Sequence, residues 1–243
     1  MKEKQRRREP NKMAKAYLIA TRPQFLFAYL MLSLGGIVIG VSQGFGPVKV
    51  NALVMSMSTV IIAAIGIHYR DEASDWDKGY DREVGGMGVI RNGTLSSPEL
   101  RRWGVLLNLV AFALIAYQVI IIPELLIVGL PASIILMWPN YLTEEVTLGH
   151  EAIISFSFWA TMMWVYLGQG WDLTMPTMAF SVFAFMLAFA ITPYQDIGDY
   201  EADRKSGKKT LTVRLGIDGV GQLSIFIVLV SLFFLYYSLI ILP

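Results

Sequence analysis

Residues 174–210 read TMPTMAFSVFAFMLAFAITPYQDIGDYEADRKSGKKT. The first twenty of these residues carry no charged side chain, whereas the remainder holds three aspartates, one glutamate and four basic residues. About twenty apolar residues are what a helix needs to cross the hydrocarbon core of a bilayer. This stretch therefore predicts a transmembrane helix that ends in a charged segment at a membrane surface.

The same pattern of long, nearly uncharged runs extends outward over the whole chain. Of the 243 residues, 55% are apolar and only 16% are charged, against about 25% charged residues in soluble domains. The chain has no cysteine, which excludes disulfides and thiolate metal sites. We predict an all-α polytopic transmembrane bundle of about seven spans, at 23–42, 50–69, 103–118, 120–138, 151–169, 174–193 and 220–242.

Basic residues collect on one side of these spans. If the N-terminus is cytoplasmic, the segment before the first span and the two long connections, 70–102 and 194–219, share that side. Together they hold 19 of the 20 lysines and arginines, and only Lys49 lies elsewhere. Such asymmetry is typical of cytoplasmic connections. We expect a multi-pass protein of the cell membrane, with a flexible basic arm over 1–21 against anionic headgroups and one transmembrane domain over 22–243.

Each long connection on this side carries an aspartate cluster. Asp71 and Asp75 are spaced i, i+4, so they share one face if the helix of the second span continues. After the sixth span, Asp196, Asp199 and Asp203 are spaced i, i+3, i+7, and a continued helix would again place them on one face. Neighbouring like charges repel, so a bound cation would favour both arrangements. The alternative is that both clusters are ordinary solvated helix ends.

Carboxylates beside basic residues match the needs of a metal–diphosphate complex. Carboxylate oxygens suit Mg²⁺, which binds one or two carboxylates together with substrate phosphates. Basic side chains would hold the remaining phosphate oxygens. The candidates for diphosphate binding are Lys78, Arg91, Arg204, Lys208 and Lys209.

At these residues the chain resembles the UbiA superfamily of intramembrane prenyltransferases, and within it the branch that makes menaquinone precursors. The first family motif aligns with Asp71, Asp75, Gly79 and Asp81, and the second with Asp196, Asp199, Asp203, Arg204, Gly207, Lys208 and Thr210. Asp71 stands where the family usually has asparagine, so we expect it to strengthen attraction for a divalent cation. The family typically has nine helices, and this chain has room for about seven.

The resemblance implies Mg²⁺-dependent transfer of a prenyl group from a polyprenyl diphosphate to an aromatic quinone precursor, at the cytoplasmic face of the membrane. It implies catalytic roles for Asp75, Asp199 and Asp203. The metal ligands would be Asp71, Asp75, Asp81, Asp196, Asp199 and Asp203. His68, His150 and Glu151 are candidates for the acceptor site, although polar residues at helix ends are common. The expected partners are the diphosphate, a small-molecule acceptor and the bilayer, without nucleic acid.

Three alternatives remain open from the sequence. The same fold would also accept a prenylated glycerol phosphate, as in archaeal lipid synthesis, or a porphyrin. A cation transporter also places carboxylates on helices, but usually near the midplane of the bilayer. The third alternative is an inactive structural homologue.

Overall fold

The computed structural model describes residues 10–80, 86–139 and 148–240, and within these ranges every regular element is helical. The helices are α1 (Pro10–Ala20), α2 (Pro23–Ser42), α3 (Val50–Lys78), α4 (Ser97–Ile121), α5 (Leu126–Met137), α6 (Gly149–Gly168), α7 (Met175–Gln195), α8 (Tyr200–Ser206) and α9 (Leu211–Ile240). A 3₁₀ turn, Pro123–Leu125, precedes α5, and another, Asp196–Asp199, follows α7. Each of the seven predicted spans overlaps one of α2 to α7 or α9, and the fourth, 120–138, also takes in the end of α4 and the 3₁₀ turn.

Five described helices are long and apolar enough to cross a membrane: α2, α3, α4, α9, and α7 together with its following turn, Met175–Asp199. The segment Pro123–Met137 is apolar but shorter. α6 is less apolar, and its first turn carries the polar side chains of His150 and Glu151. The predicted all-α polytopic architecture is confirmed.

Small polar side chains face the interior of the bundle, and large apolar side chains face outward. On α9, Ser224 and Ser231 are buried, whereas Phe226 and Phe233 are 64% and 62% exposed. The Ser224 hydroxyl donates to the carbonyl oxygen of Ala190 at 2.7 Å, which satisfies a polar group and joins α9 to α7. An outer surface of this kind suits hydrocarbon rather than water.

Two helix pairs make the most extensive contacts, α3 with α4 and α7 with α9. The backbones of α3 and α4 touch at Gly66 and Gly104, because a Cβ on Gly104 would lie 2.8 Å from the carbonyl oxygen of Gly66. α6 packs against α2, α3 and α7. The bundle therefore consists of two tight hairpins connected through α2 and α6.

The N-terminal segment is helical where the structure describes it, rather than a flexible arm. Ala16 and Ala20 on α1 are buried, and the Tyr69 hydroxyl on α3 donates to the carbonyl oxygen of Tyr17 at 3.2 Å. The Tyr17 hydroxyl in turn donates to Glu99 at 2.6 Å. Contacts with α3 and α4 thus hold α1 against the bundle.

Candidate active site

The first aspartate cluster lies on the last turns of α3. This helix continues to Lys78, beyond the predicted span end at residue 69, so Asp71 and Asp75 share one face as expected. Glu72 is only 2% exposed, and its two carboxylate oxygens lie 3.1 and 3.0 Å from the backbone nitrogen of Met87, which donates to them. Glu72 therefore holds Met87, in the connection after α3, against the end of that helix.

Asp71 is paired with a residue from another helix boundary. A guanidinium nitrogen of Arg22 lies 2.9 Å from Asp71 and 4.0 Å from Glu72. Arg22 precedes α2 and has a left-handed backbone, with φ 52°. Non-glycine residues rarely adopt this conformation, and they keep it where surrounding contacts impose it. The charge of Asp71 is therefore balanced by this arginine.

The second cluster does not form one continuous α-helix. α7 ends at Gln195, Asp196–Asp199 form a 3₁₀ turn, and α8 begins at Tyr200. The expectation of one α-helical face for all three aspartates is wrong, since a 3₁₀ turn has about three residues per turn and changes the register. Asp199 is exposed, whereas Asp203 is only 7% exposed. Gly207 follows the last residue of α8 and has a left-handed backbone, with φ 78°. This residue ends the helix, and Lys208 comes next.

Lys208 connects the two clusters. Its Nζ lies 3.7 Å from Oδ2 of Asp75 and 3.7 Å from Oδ1 of Asp203. The same Nζ lies 5.1 Å from the centre of the Tyr80 ring, within range of a cation–π interaction. The two long connections therefore meet at Lys208.

Negative charge and burial act together on Asp203. Burial raises the pKa of its carboxyl group, Lys208 lowers it, and Asp196 and Asp199 raise it again, with a net increase. A carboxylate in this environment gains from a nearby cation, because the cation offsets both the loss of water and the repulsion. Lys208 supplies part of that compensation.

The acceptor-site candidates have separate surroundings. Nε2 of His150 lies 3.6 Å from Asp196. Glu151 is fully buried, and its Oε1 accepts the backbone N–H of Leu211 at 2.6 Å. The ring centre of His68 lies 5.5 Å from that of Phe25. His150 thus connects the start of α6 to the second cluster, Glu151 connects it to the start of α9, and His68 faces α2.

The predicted site residues differ in how far they are exposed. Among the predicted diphosphate ligands, Lys78, Arg91, Arg204 and Lys209 are exposed, and only Lys208 is partly buried. Asp81 lies outside the described residues. Within 10–80, 86–139 and 148–240, no group of three or more acidic or histidine side chains is close enough to hold a metal by itself.

Sequence matches place this arrangement in a family. The UbiA prenyltransferase family matches residues 29–243. The chain belongs to the UbiA prenyltransferase family. It is therefore a multi-pass membrane prenyltransferase, and the transporter alternative falls away.

This UbiA family member has a curated relative and two solved structural neighbours. It is 27% identical, over 223 residues, to the 1,4-dihydroxy-2-naphthoate octaprenyltransferase of Haemophilus influenzae, covering 85% of this chain and 71% of that protein. It also resembles a UbiA homolog from Archaeoglobus fulgidus solved with DMAPP and Mg²⁺, at TM-score 0.62 and 16% identity over 92% of this chain and 84% of that one. The same homolog solved with GPP and Mg²⁺ gives TM-score 0.61 and 16% identity over 93% and 85%. At this identity the structures show a shared fold.

Arg22 is the site residue that the sequence reasoning missed, because it was counted as one of many basic residues before the first span. Its signal is positional: it is the last basic residue before that span and is followed by Pro23. The residue before a proline is restricted in conformation, and helices often begin at the proline. Its contact with Asp71 on α3, however, joins residues far apart in the sequence, and residue spacing does not reveal such a contact.

Proposed function

We propose that this protein transfers a prenyl group from a polyprenyl diphosphate to an aromatic acceptor, with Mg²⁺ and the two aspartate clusters binding the diphosphate. The observation that supports it is Lys208, which lies 3.7 Å from each of Asp75 and Asp203 at the charged end of an apolar bundle. A polyprenyl diphosphate has a charged head and an apolar tail. These match the charged end and the apolar interior of the bundle.

The residues present fit Mg²⁺ with substrate bound, rather than Mg²⁺ alone. Asp75 and Asp203 face a common cation position, which Lys208 takes in the structure. Mg²⁺ commonly binds one or two protein carboxylates, with phosphates and water completing its shell. Asp75 and Asp203 would hold it, with Asp199 and Asp196 close enough to add negative charge. When bound, Mg²⁺ would offset the negative charge that develops on the departing diphosphate.

The reaction needs the bond between the prenyl C1 and a diphosphate oxygen to break, while a carbon of the acceptor bonds to C1 and later loses a proton. Lys208 would bind a diphosphate oxygen and stabilise the leaving group. Tyr80, which contacts the Lys208 ammonium, would hold that group in place. Arg22, held by Asp71, balances the charge of that carboxylate at the same end of α3.

An aromatic acceptor is the finer part of the proposal. It is supported by similarity to a 1,4-dihydroxy-2-naphthoate octaprenyltransferase and by the first-motif region of the sequence. We further propose that the site faces the cytoplasm of the cell membrane, because nearly all lysines and arginines lie on that side of the spans. Residues 22–243 would act as one catalytic domain.

The test is incubation of the purified protein with Mg²⁺, geranylgeranyl diphosphate and a panel of acceptors, followed by mass spectrometry. The panel contains 1,4-dihydroxy-2-naphthoate, a prenylated glycerol phosphate and a porphyrin. A prenylated naphthoate that forms only with Mg²⁺ supports the proposal. Product from another acceptor alone would contradict the aromatic assignment, and no product from any acceptor would indicate an inactive homologue.

A further inference from the structure

An apolar cavity lies inside the bundle between α2, α3, α4, α5 and α6. At its charged end it is lined by Tyr29, Ile67 and Leu136. On α3, the lining residues Val60, Ala64 and Ile67 continue in one row to Asp71 and Asp75, at steps of three or four residues. Such steps keep side chains on one helix face. One face of α3 thus leads from the carboxylates into the apolar cavity.

The cavity ends at the same depth on four helices. The lining residues farthest from the charged end are Thr59 on α3, Ile115 on α4, Val128 on α5 and Trp164 on α6. From Asp71 to Thr59 the helix rises about 18 Å, at about 1.5 Å per residue. An extended isoprene unit adds four carbon–carbon bonds, about 5 Å in all, so this length holds about three or four units.

Beyond Thr59 the helices close together. A Cβ on Gly168 would lie 2.4 Å from Oγ of Ser56. At the level of the last lining residues, a Cβ on Gly129 would lie 3.1 Å from both Ile115 and Trp164. A side chain would clash with Ser56 at Gly168 and would press on its neighbours at Gly129, so these glycines bring α5 and α6 close to the adjacent helices. The space below the cavity is therefore filled by backbone and side chains.

A hydrogen-bonded layer seals this end, formed by Ser56, Thr59 and Gln118, hereafter the floor layer. The Ser56 hydroxyl donates to Oε1 of Gln118 at 3.2 Å, and Nε2 of Gln118 donates to Oγ1 of Thr59 at 2.6 Å. All three side chains are buried. A prenyl chain that passed this layer would separate these polar groups without replacing their hydrogen bonds, which is costly in an apolar interior.

We propose that the floor layer, together with Trp164, limits the prenyl donor to about three or four isoprene units. This inference rests on the proposed function and specifies its donor. It also separates this chain from its curated relative, which is named an octaprenyltransferase. An eight-unit chain is about twice as long as the stretch from Asp71 to Thr59.

The experiment compares kcat/KM for the C10, C15, C20 and C40 prenyl diphosphates, with Mg²⁺ and 1,4-dihydroxy-2-naphthoate in one detergent. We expect an optimum at C15 or C20 and a value for C40 at least about tenfold lower, since a pocket discriminates strongly against a group that does not fit. Gln118→Ala removes part of the floor layer and should raise the C40 to C20 ratio at least about fivefold. Ala64→Leu narrows the cavity midway and should lower the C20 to C10 ratio.

The matched control is Asn108→Ala, which removes another buried amide from α4. Asn108 donates to the carbonyl oxygen of Leu136 at 3.4 Å and contacts Gly66 on α3, but it does not line the cavity. It should lower Tm and leave both length ratios unchanged. Equal use of C40 and C20 by the wild type, or unchanged ratios in both cavity variants, would overturn the floor layer while leaving the proposed function intact. If none of the four prenyl diphosphates gave product, the proposed function would be overturned, and this inference with it.

Discussion

The guanidinium of Arg22 lies 2.9 Å from the carboxylate of Asp71, so the extra negative charge in the first motif is neutralised within the protein. The sequence alone suggested that this charge would strengthen attraction for Mg²⁺. In Asp71→Asn the positive charge of Arg22 is left unbalanced, so we expect the Mg²⁺ concentration for half-maximal activity to rise about threefold or more, because a net positive charge repels the cation. A Mg²⁺ titration of activity measures this.

The same pair should behave as a unit in stability. Its side chains are 19% and 29% exposed, so the pair is partly shielded from water. In a double-mutant cycle with Arg22→Gln and Asp71→Asn, we expect a coupling free energy of about 1 kcal/mol. If the losses of unfolding free energy in the two single variants simply add up in the double variant, the two residues do not interact.

Asp75 and Asp203 should be essential for turnover. Asp75→Asn and Asp203→Asn keep side-chain size but remove the charge that would face Mg²⁺, so kcat/KM should fall at least about 10³-fold. Asp77→Asn is the matched control on α3, since Asp77 is exposed and binds Ser97 and Arg101 instead. It should keep most of the activity. Near wild-type rates for both test variants would mean that the aspartates are only a polar helix end.

Lys208 should make the metal-free protein stable. In Lys208→Met the carboxylates of Asp75 and Asp203 lose a shared counter-ion, so Tm without Mg²⁺ should fall. Added Mg²⁺ should then raise Tm more in the variant than in the wild type, because ligand binding stabilises the folded state. Thermal unfolding with and without Mg²⁺ tests this, with the exposed Lys209→Met as control. If Mg²⁺ raised Tm equally in Lys208→Met and in the wild type, Lys208 would not be the counter-ion that Asp75 and Asp203 share.

Glu151 should contribute to the stability of the fold through its hydrogen bond to Leu211. Glu151→Ala leaves the buried N–H of Leu211 without its acceptor, which costs about 1–3 kcal/mol. Glu151→Gln keeps a carbonyl oxygen for this N–H and should lose much less stability. Unfolding measurements distinguish the variants. If Gln restores stability but not activity, the carboxylate also has a role in the reaction.

The parts of the site that were predicted from sequence depend on local spacing. Asp71 and Asp75 lie i, i+4 on a helix, and the 19 basic residues of one side required only the correct sequence of spans. The continuous helix over Asp196, Asp199 and Asp203 was predicted wrongly, because hydropathy does not reveal the 3₁₀ turn. The contacts of Arg22 with Asp71 and of Lys208 with Asp75 join residues far apart in sequence. Packing decides which basic residue reaches which carboxylate, so spacing could not select Lys208 from its four fellow candidates.

The tight contact between Gly66 and Gly104 has a consequence for how substrates enter and leave. This contact holds α3 and α4 together, just as the hydrogen bonds from α9 to α7 hold another pair. One pair carries Asp75 and the other precedes and follows Asp203, so the proposed site lies at the seam between these two halves. We expect such a seam to open by a small shear of the two halves, without unfolding either one. Bilayer composition, which presses on the outer faces of both halves, would then act on turnover through the width of this seam.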